Sequence, residues 1–571
     1  MKHLIKHAKK YKKEVACGPL FKLFEASFEL GVPLVMKQII DTGIANGNSG
    51  YIIKMSFVLV LLGVLGLTST VIAQYFSAKA AVRITSGMKR DLLSHIQSLS
   101  FSELDSAGTS TLITRITGDA NQVQNGINLT LRLFMRSPFI VLGAMIMAFT
   151  INTESALTFA AVIPALSVVV FGIMLFCIPL YKKVQQKLEG VLLQVRENLT
   201  GVRVIRAFRR EESEKERFSL GTEALSFEQE RVGRISALMN PLTYVLINFA
   251  ILILIYIGAI KVDSGVLTQG EVIALYNYMS QILIELVKFA NLIITITKSV
   301  ASEHRMENIF LLQSSMRNGE KKISRIGEIS FENVSLTYAG ASEPTLENIS
   351  FVAKKGETIG IIGGTGSGKS SLVNLIPRFY DADSGIIKID GTDIKELDTE
   401  NLRDRIGIVP QKAVLFRGTI KENLLWGNEN ATEEEIKEAL EASQSFDFVM
   451  EKEGGLDAPA ENGGRNFSGG QRQRLTIARA LVRRPDVLIL DDSSSALDFS
   501  TDASLRRAIA SLDYDPTVFI VSQRTSSLRN ADKIVVLDDG KQVGLGKHDE
   551  LMNTCPVYAE IHESQFKKEG E

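Results

Sequence analysis

The sequence predicts two parts of different fold class. The first is a membrane all-α domain with six transmembrane helices, and the second is an α/β domain of the P-loop NTPase type. Several apolar runs in the first half of the 571 residues are long enough to cross a bilayer core of roughly 30 Å as helices. The last part of the chain instead alternates short strand and helix patterns around a glycine-rich loop, which indicates a soluble domain with a parallel sheet.

Charge and cysteine content narrow the function classes. The formal net charge is −1, yet the first thirteen residues hold six lysines and no acid. Because apolar spans follow these lysines, we interpret them as a cytoplasmic membrane flank, and a nucleic-acid partner is excluded. No cleavable signal peptide is recognisable. The three cysteines, Cys17, Cys177 and Cys555, are far apart and odd in number, so they predict neither a disulfide framework nor a metal site.

The positive-inside rule selects six spans over four. Four spans would leave two basic segments outside the cell: 79–136 with seven Lys and Arg, and 182–234 with twelve. Six spans bring both segments inside and keep the nucleotide motifs in the cytosol. The predicted spans are 16–40, 55–78, 132–153, 155–181, 238–262 and 271–298.

The two inner basic segments have helix-like apolar spacing and few breaking residues. As helical hairpins, each would project about 40 Å beyond the membrane at 1.5 Å per residue. Their predicted tips, 104–110 and 209–218, suit contact with a soluble motor domain. The predicted domains are a transmembrane domain over 1–305, a charged linker over 306–326 and a nucleotide-binding domain over 327–571.

A phosphate-binding loop is the strongest single motif. It matches the pattern G-x-x-x-x-G-K-[ST], follows a strand pattern at 358–362, and leads into a helix that begins near Ser371. Glycines allow backbone N–H groups to approach phosphates, and the helix N-terminus favours their charge. Lys369 is expected to reach the β- and γ-phosphates, and the Ser370 hydroxyl to ligate Mg²⁺. The loop is Gly363, Gly364, Thr365, Gly366, Ser367, Gly368, Lys369 and Ser370.

An acidic pair ends the apolar run 487–490. Asp491 is the natural second anchor for Mg²⁺, so the sequence predicts ATP and Mg²⁺ as ligands. In an ATP-hydrolysing machine of this type, we expect glutamate directly after that aspartate. The chain carries Asp492 there, so it is built to hold ATP but looks poorly equipped to hydrolyse it.

A further motif leads to a family resemblance. Ser468, Gly469, Gly470 and Gln471 lie about a hundred residues after the phosphate loop and about twenty before the acidic strand. This layout resembles that of ATP-binding-cassette (ABC) transporters. Six spans followed by one cassette resemble an exporter half-transporter over essentially the whole chain. The resemblance implies that two cassettes sandwich two nucleotides, and that these four signature residues act in trans on the γ-phosphate held by the opposite cassette.

The same resemblance implies roles for three other positions. Tyr338, 25 residues before the loop, is similar to the aromatic residue that stacks on adenine. Gln411 is similar to the glutamine that contacts Mg²⁺ and signals to the membrane domain. The Ser-Ala-Leu-Asp stretch at 495–498 resembles the loop that crosses to the other site.

Two positions depart from the family pattern. Asp492 stands where the family has a catalytic glutamate, and Gln523 stands where it has a histidine. Aspartate withdraws the carboxylate by about 1.5 Å, and glutamine has no titratable proton. Together, the two changes resemble the degenerate half of heterodimeric bacterial exporters. They imply a partner half-transporter that carries the consensus Glu and His.

Charged residues inside the predicted spans are functional candidates by default. Glu25 and Glu29 share one helical face, and Glu29 is the predicted contact for amphipathic cations. Lys22 lies three residues before Glu25, so simple pairing is an open alternative. Glu285 and Lys288 lie three residues apart in the sixth span, so mutual neutralisation is an open alternative for them as well.

The combined interpretation is a plasma-membrane exporter subunit with its cassette in the cytoplasm. It would move hydrophobic or amphipathic small molecules, such as drugs, by alternating access, with hydrolysis mainly at the partner's site. One alternative is a homodimeric lipid or peptide exporter with two slow sites. Another is an ATP-gated channel or sensor.

Overall fold

The computed structural model describes residues 2–493 and 495–566. Within it the chain forms two compact units. Unit 1 contains the residues up to Gln97 together with Ser110–Leu311. Unit 2 contains the short segment Ser98–Thr109 and the residues from Leu312 onward.

Unit 1 is helical. Its helices are joined by short turns, of which two, Ile39–Ile44 and Arg115–Asp119, are π-helical. The helices from the N-terminus to Phe310, including the short α4 that belongs to unit 2, are α1 (Lys2–Lys10), α2 (Lys12–Gln38), α3 (Ser49–Ser98), α4 (Phe101–Ala107), α5 (Thr109–Thr114), α6 (Ala120–Leu133), α7 (Arg136–Ile151), α8 (Thr153–Thr200), α9 (Val202–Ala207), α10 (Glu211–Ala237), α11 (Met239–Asp263) and α12 (Gln269–Phe310).

Five helical segments of the described residues are long and apolar enough to cross a membrane. They contain the second, fourth, fifth and sixth predicted spans and all but the last two residues of the third. The first predicted span, 16–40, forms the 27-residue helix α2, whose charged residues keep it outside this group. The first of the six crossings therefore stays a prediction. The five segments are Ser49–Ser98, Thr109–Ile151, Thr153–Thr200, Glu211–Asp263 and Gln269–Phe310.

Alanines lie among larger apolar residues in the core of unit 1, where α2, α7, α8, α11 and α12 meet. Ala26, Ala144, Ala156 and Ala274 are fully buried there. In the membrane, small side chains let helix backbones approach closely, so dispersion contacts can hold the bundle together. The buried Tyr278 hydroxyl donates to the Leu30 carbonyl oxygen at 2.7 Å, which ties α12 to α2.

Unit 2 is an α/β domain. Its helices after the phosphate loop are α13 (Lys369–Leu375), α14 (Thr399–Asp404), α15 (Ile420–Leu425), α16 (Glu433–Ala442), α17 (Phe446–Met450), α18 (Gly469–Leu481), α19 (Phe499–Ala510), α20 (Thr525–Leu528), α21 (His548–Thr554) and α22 (Pro556–Phe566). Its strands are β1 (Glu328–Leu336), β2 (Leu346–Lys354), β3 (Thr358–Gly363), β4 (Ser384–Ile389), β5 (Thr392–Asp393), β6 (Ile406–Val409), β7 (Gly418–Thr419), β8 (Pro459–Ala460), β9 (Val487–Asp491), β10 (Thr517–Val521), β11 (Lys533–Asp538) and β12 (Lys541–Gly546).

The main sheet is mixed, which corrects the expectation of a parallel sheet. Its strand order is β5-β4-β1-β2-β12-β11-β3-β10-β9-β6, and only the stretch from β11 to β6 is a continuous parallel array. In that array, β9 is buried at all five positions, as expected for a strand covered on both faces. Strand β1 instead alternates between buried and exposed residues and pairs antiparallel with β2 and β4. The βα pattern therefore describes only half of the sheet.

The predicted linker 306–326 begins too early. Helix α12 continues to Phe310, and Met306 and Ile309 in its last turns are buried. The connection to the strands of unit 2 starts only after that point.

The chain bends close to both predicted hairpin tips. At the first tip, α4 ends at Gly108, whose φ of 73° suits a residue without a Cβ atom. At the second, the bend lies at Arg209 with φ of 51°, and the rest of the predicted tip belongs to α10.

Gly126 marks the closest approach of α6 to α12. A Cβ atom at Gly126 would lie 2.1 Å from the Ser299 Oγ and 2.3 Å from its Cβ. We expect Gly126→Ala to push the two helices apart and lower the free energy of unfolding by about 1–3 kcal/mol. Thermal unfolding in detergent measures this loss. Gly190→Ala on α8 is the matched control, since no atom lies within 4 Å of its Cβ position. Equal or higher melting temperatures for both variants would contradict the close contact.

Candidate functional site

A cavity of about 230 Å³ lies at the carboxyl edge of the parallel strands in unit 2. Strands β3, β9 and β10 are neighbours in register, so the segments that follow them meet at one edge. Residues predicted from four separate segments of the sequence line this cavity. They include Thr365, Gly366, Gly368, Lys369, Ser370, Ser371, Gln411, Asp491, Asp492 and Gln523.

The phosphate loop connects β3 to α13 with two glycines in the left-handed region. Gly366 has φ of 85° and Gly368 has φ of 91°, conformations that side chains rarely adopt. The Lys369 ammonium donates to the carbonyl oxygens of Gly363 at 3.0 Å and Gly364 at 2.5 Å. Burial lowers the pKa of Lys369, and the charges of Asp492 and Asp491 oppose that shift. The loop thus holds a cation beside backbone N–H groups, an arrangement that suits a polyphosphate.

Two of the three predicted Mg²⁺ ligands, Ser370 and Asp491, are in direct contact, whereas the third, Gln411, contacts Asp492. The Ser370 hydroxyl donates to Asp491 Oδ1 at 3.0 Å. Burial raises the pKa of Asp491, and the hydrogen bond from Ser370 opposes the shift. Within residues 2–493 and 495–566, no group of three or more His, Cys, Asp or Glu side chains could hold a metal alone. One hydroxyl and one carboxylate fit Mg²⁺, which keeps several waters and binds substrate phosphates.

Asp492 and Gln523 border the same cavity. Asp492 adopts φ of 47°, its N–H donates to the Val521 carbonyl oxygen at 3.1 Å, and its Oδ2 accepts from Gln411 Nε2 at 3.3 Å. The side chain of Gln523 is exposed. The backbone carbonyl oxygen of Gln523 accepts from Gln565 Nε2 at 2.6 Å. The structure therefore brings together the predicted Mg²⁺ ligands and both departures from the family pattern.

Tyr338 is linked to this cavity by a hydrogen bond to the phosphate-loop helix α13. Its hydroxyl donates to Ser371 Oγ at 2.9 Å, and Ser371 itself lines the cavity. Burial raises the pKa of Tyr338, so the hydroxyl keeps its proton. Thr345 and Ser522 also line the cavity, and no motif in the sequence marked them.

The Ser-Gly-Gly-Gln signature begins α18 with reciprocal caps. Ser468 Oγ accepts from the Gln471 N–H at 3.2 Å, and Gln471 Oε1 accepts from the Ser468 N–H at 3.1 Å. This capping box satisfies donors at the helix start. None of the four signature residues lines the cavity described above in the part of the chain that the structure describes.

Two family profiles match this chain, one in the membrane domain and one in the nucleotide-binding domain. The family profile "ABC transporter transmembrane region" matches residues 15–286, and the profile "ABC transporter" matches residues 346–495. An uncharacterized ABC transporter ATP-binding protein of Mycobacterium tuberculosis is 36% identical over 98% of this chain and 97% of its own length. The chain belongs to the ABC transporter family.

Other relatives cover nearly the whole transporter. The uncharacterized ABC transporter ATP-binding protein YfiB of Bacillus subtilis is 34% identical over 100% of this chain and 99% of its own length. An ATP-dependent lipid A-core flippase of Vibrio parahaemolyticus is 29% identical over 93% and 92%. A bacterial Atm1-family ABC exporter with ATP bound shares the fold with a TM-score of 0.83 at 23% identity, over 98% and 99% of the two chains.

The family and the fold together define the coarse function. The chain is an exporter-type ABC half-transporter, with a multi-pass membrane domain in the plasma membrane and a cytoplasmic ATPase domain. ATP hydrolysis in such a domain is coupled to transport. ABC exporters act as dimers, because each half contributes one cassette.

A second cluster of functional side chains lies in the membrane domain around Arg136. Its guanidinium donates to Glu285 Oε1 at 2.5 Å and to Glu29 Oε2 at 2.6 Å, and its Nε lies 3.6 Å from Glu25 Oε1. Glu285 also accepts from Ser137 at 2.8 Å. This guanidinium therefore connects α2, α7 and α12.

All three acids of this cluster lie beside Arg136, and two of them also have a lysine neighbour. Lys22 pairs with Glu25, and Lys288 Nζ lies 2.9 Å from Glu285 Oε1. Both pairings were open alternatives from the sequence. The side chain of Glu29 is 39% exposed, the highest value of the three acids, so it is the acid most accessible to a ligand.

Sequence reasoning missed Arg136. The residue directly precedes the uncharged run 137–153, so it looked like an ordinary cytoplasmic flank. In the structure, it is buried with 6% exposure. The available signal was the three acids inside predicted spans, Glu25, Glu29 and Glu285. Buried carboxylates require cationic partners, and only Lys22 and Lys288 lie nearby in sequence.

We expect Arg136→Met to destabilise the transporter strongly. The substitution would leave Glu285, 2% exposed, without its main cation, and breaking a buried pair from one side costs about 3–5 kcal/mol. Thermal unfolding in detergent measures this loss, and the double variant Arg136→Met with Glu285→Leu should recover most of it. Arg234→Met is the control, because its pair with Glu230 is exposed and should contribute about 0–1 kcal/mol. Similar small losses for both arginine variants would contradict this role.

Proposed function

We propose that this chain is one half of a heterodimeric ABC exporter. Its own nucleotide site is degenerate, and its signature residues complete the competent site on the partner cassette. The observation that carries the proposal is the pairing of Asp492 with Gln411 at the edge of the phosphate-loop cavity. The shorter carboxylate stands where the family has a glutamate.

The chemistry of the site supports this asymmetry. Holding ATP requires the loop N–H groups, Lys369 and the Ser370–Asp491 pair, and these are present. Hydrolysis also requires a carboxylate beside the attacking water, and a misplacement of about 1 Å can cost on the order of a hundredfold in rate. Gln523 can accept or donate a hydrogen bond but cannot exchange a proton. The weak site would therefore retain ATP over several cycles and hold the two cassettes together.

Other residues of this site take the roles that the family pattern gives them. Tyr338 would stack on the adenine, and Gln411 would follow the Mg²⁺ ion. Ser468, Gly469 and Gly470 would contact the triphosphate held by the partner. Support for a role in trans comes from the capped start of α18, which presents the exposed Gly469 away from the chain's own cavity.

We expect Asp492→Glu with Gln523→His to restore hydrolysis at the weak site. The purified heterodimer should carry Gly469→Asp in both samples, so that the signature cannot complete the partner's site. No atom lies within 4 Å of the Cβ position of Gly469, so the chain should fold normally. Steady-state ATP turnover should then rise by up to about a hundredfold, and tightly bound ATP after washing should fall.

Asp492→Asn in the same background is the matched control and should stay inactive. Native mass spectrometry of co-expressed chains establishes the assembly. The degenerate-site proposal fails if turnover and bound nucleotide are unchanged by the restored residues. Brisk turnover by this chain alone, without Gly469→Asp, would instead support a homodimer.

The substrates we propose are hydrophobic or amphipathic small molecules, with Glu29 as a contact for cationic ones. The cluster around Arg136 contains three acidic and three basic side chains, so it carries no formal net charge. A cationic ligand would have to compete with Arg136 for the half-exposed Glu29. A lipid is the second candidate, because relatives of 27–30% identity are named lipid A-core flippases.

We expect Glu29→Gln to reduce transport of a cationic amphipathic dye by about fivefold, which corresponds to an ion pair of about 1 kcal/mol. Transport of a neutral dye should change little. Proteoliposomes with the assembled complex allow both dyes and a fluorescent lipid to be compared. Glu154→Gln is the control, since this exposed carboxylate pairs with Lys261 outside the cluster. Lipid movement without transport of either dye would favour the lipid candidate.

A further inference from the structure

The short helix α4 belongs to the same compact unit as the nucleotide site, although it lies in the sequence between membrane-domain helices. Aromatic and polar contacts attach it there. The rings of Phe101 and Phe379 lie 4.6 Å apart between centroids, and the Tyr380 hydroxyl donates to Asp105 Oδ2 at 2.6 Å. Phe379 and Tyr380 follow α13 closely in the sequence. The segment directly after the phosphate-loop helix therefore contacts α4.

Tyr380 also contacts the residue proposed to stack on adenine. The rings of Tyr380 and Tyr338 lie 5.0 Å apart and are nearly perpendicular, at 85°. Tyr338 in turn donates to Ser371, which lines the nucleotide cavity. A continuous chain of contacts therefore runs from the phosphate-loop helix through two tyrosines to Asp105 on α4.

We propose that Tyr380 is a positioning residue that links adenine binding at Tyr338 to the position of α4, through its hydrogen bond to Asp105. This inference rests on the proposed ATP site. A base stacked on one face of Tyr338 restricts the orientation of that ring. Because the two tyrosine rings pack edge to face, Tyr380 must follow, and its hydroxyl stays aimed at Asp105.

The chemistry of the Tyr380–Asp105 bond suits such a link. Burial raises the pKa of Tyr380, and the neighbouring Asp105 raises it further, so the phenol stays protonated and acts as donor. A hydrogen bond to a charged acceptor is stronger and more directional than one between neutral groups. Only Leu99 and Ser100 separate α4 from the end of α3, so a shift of α4 acts directly on a membrane-spanning helix.

A second set of contacts keeps α4 attached when this bond is absent. Glu103 Oε1 accepts from the Ser315 N–H at 3.2 Å, and Ser100 Oγ lies 3.2 Å from Ser315 Oγ. The Phe101–Phe379 contact also remains in a Tyr380→Phe variant. Loss of the hydroxyl should therefore remove the link to adenine without detaching the helix.

Hydrogen exchange of residues 98–109 in the assembled full-length transporter tests the proposal. Two probes are compared at saturation in lipid nanodiscs: Mg²⁺ with ATP, and Mg²⁺ with inorganic tripolyphosphate, which lacks the base. In the unmodified protein, ATP should slow exchange in this segment about tenfold more than tripolyphosphate, the size expected for one hydrogen bond to a charged group. Tyr380→Phe and Asp105→Ala should abolish the difference between the probes. Asp105→Asn should restore part of it, since the amide oxygen still accepts.

Tyr558→Phe is the matched control, because it removes one buried tyrosine hydroxyl that bonds to His548 at 2.8 Å elsewhere in unit 2. It should keep the difference between ATP and tripolyphosphate. ATP affinity, measured in the same samples, should stay within about twofold in Tyr380→Phe, as expected for a residue that does not touch the ligand.

The outcomes separate this inference from the proposed function. If the unmodified transporter does not bind ATP, the proposed nucleotide site is wrong. If ATP binds but Tyr380→Phe keeps the difference in hydrogen exchange between ATP and tripolyphosphate, Tyr380 only stabilises the fold. The inference is then overturned. The inference is also overturned if Tyr558→Phe loses the protection to the same extent.

Discussion

The nucleotide site depends on the parallel alignment of β3, β9 and β10. These strands belong to distant parts of the sequence, yet their shared direction makes the phosphate loop, Asp491 and the Gln523 segment emerge at one edge. The Ser370–Asp491 hydrogen bond is the direct result. Each strand is buried on both faces, so a shift in register would expose apolar residues and is strongly disfavoured. A rigid sheet thus fixes separations that the chemistry requires to within about an ångström.

The membrane domain depends on a different interaction. Arg136 is one buried cation that contacts carboxylates from two other helices, in addition to the lysines that α2 and α12 place beside their own acids. Such clusters require a complete set of partners, because an isolated buried charge costs several kcal/mol. The buried alanines of the helix core contribute contact area but little specificity for one helix orientation. The ionic cluster therefore fixes which faces of the three helices meet.

Sequence patterns predicted the parts of this protein in which local chemistry decides the structure. The phosphate loop, the Asp491 strand end and the capped Ser468 signature are local motifs, and each lies where its pattern indicated. The mixed sheet and the long α12 were not predicted, because partners far away in sequence decide them. β1 pairs antiparallel with its neighbours β2 and β4, and Met306 and Ile309 are buried in the last turns of α12. Arg136 was missed for the same reason, since its three acidic partners lie on other helices, more than a hundred residues away in the sequence.

The proposed separation of ATP binding from ATP hydrolysis rests on the geometry of the site. Phosphate contacts come from backbone N–H groups and from Lys369, and they do not depend on the length of the side chain at position 492. Activation of water depends on that length, because proton acceptance falls off steeply with distance. Asp492 can therefore stay beside Gln411 at 3.3 Å and leave the ATP-binding groups intact. A two-cassette transporter tolerates this loss in one half when the other half hydrolyses ATP, because both nucleotides still hold the cassettes together. In the proposed heterodimer, an intact signature in the half with the weaker site is what that arrangement requires.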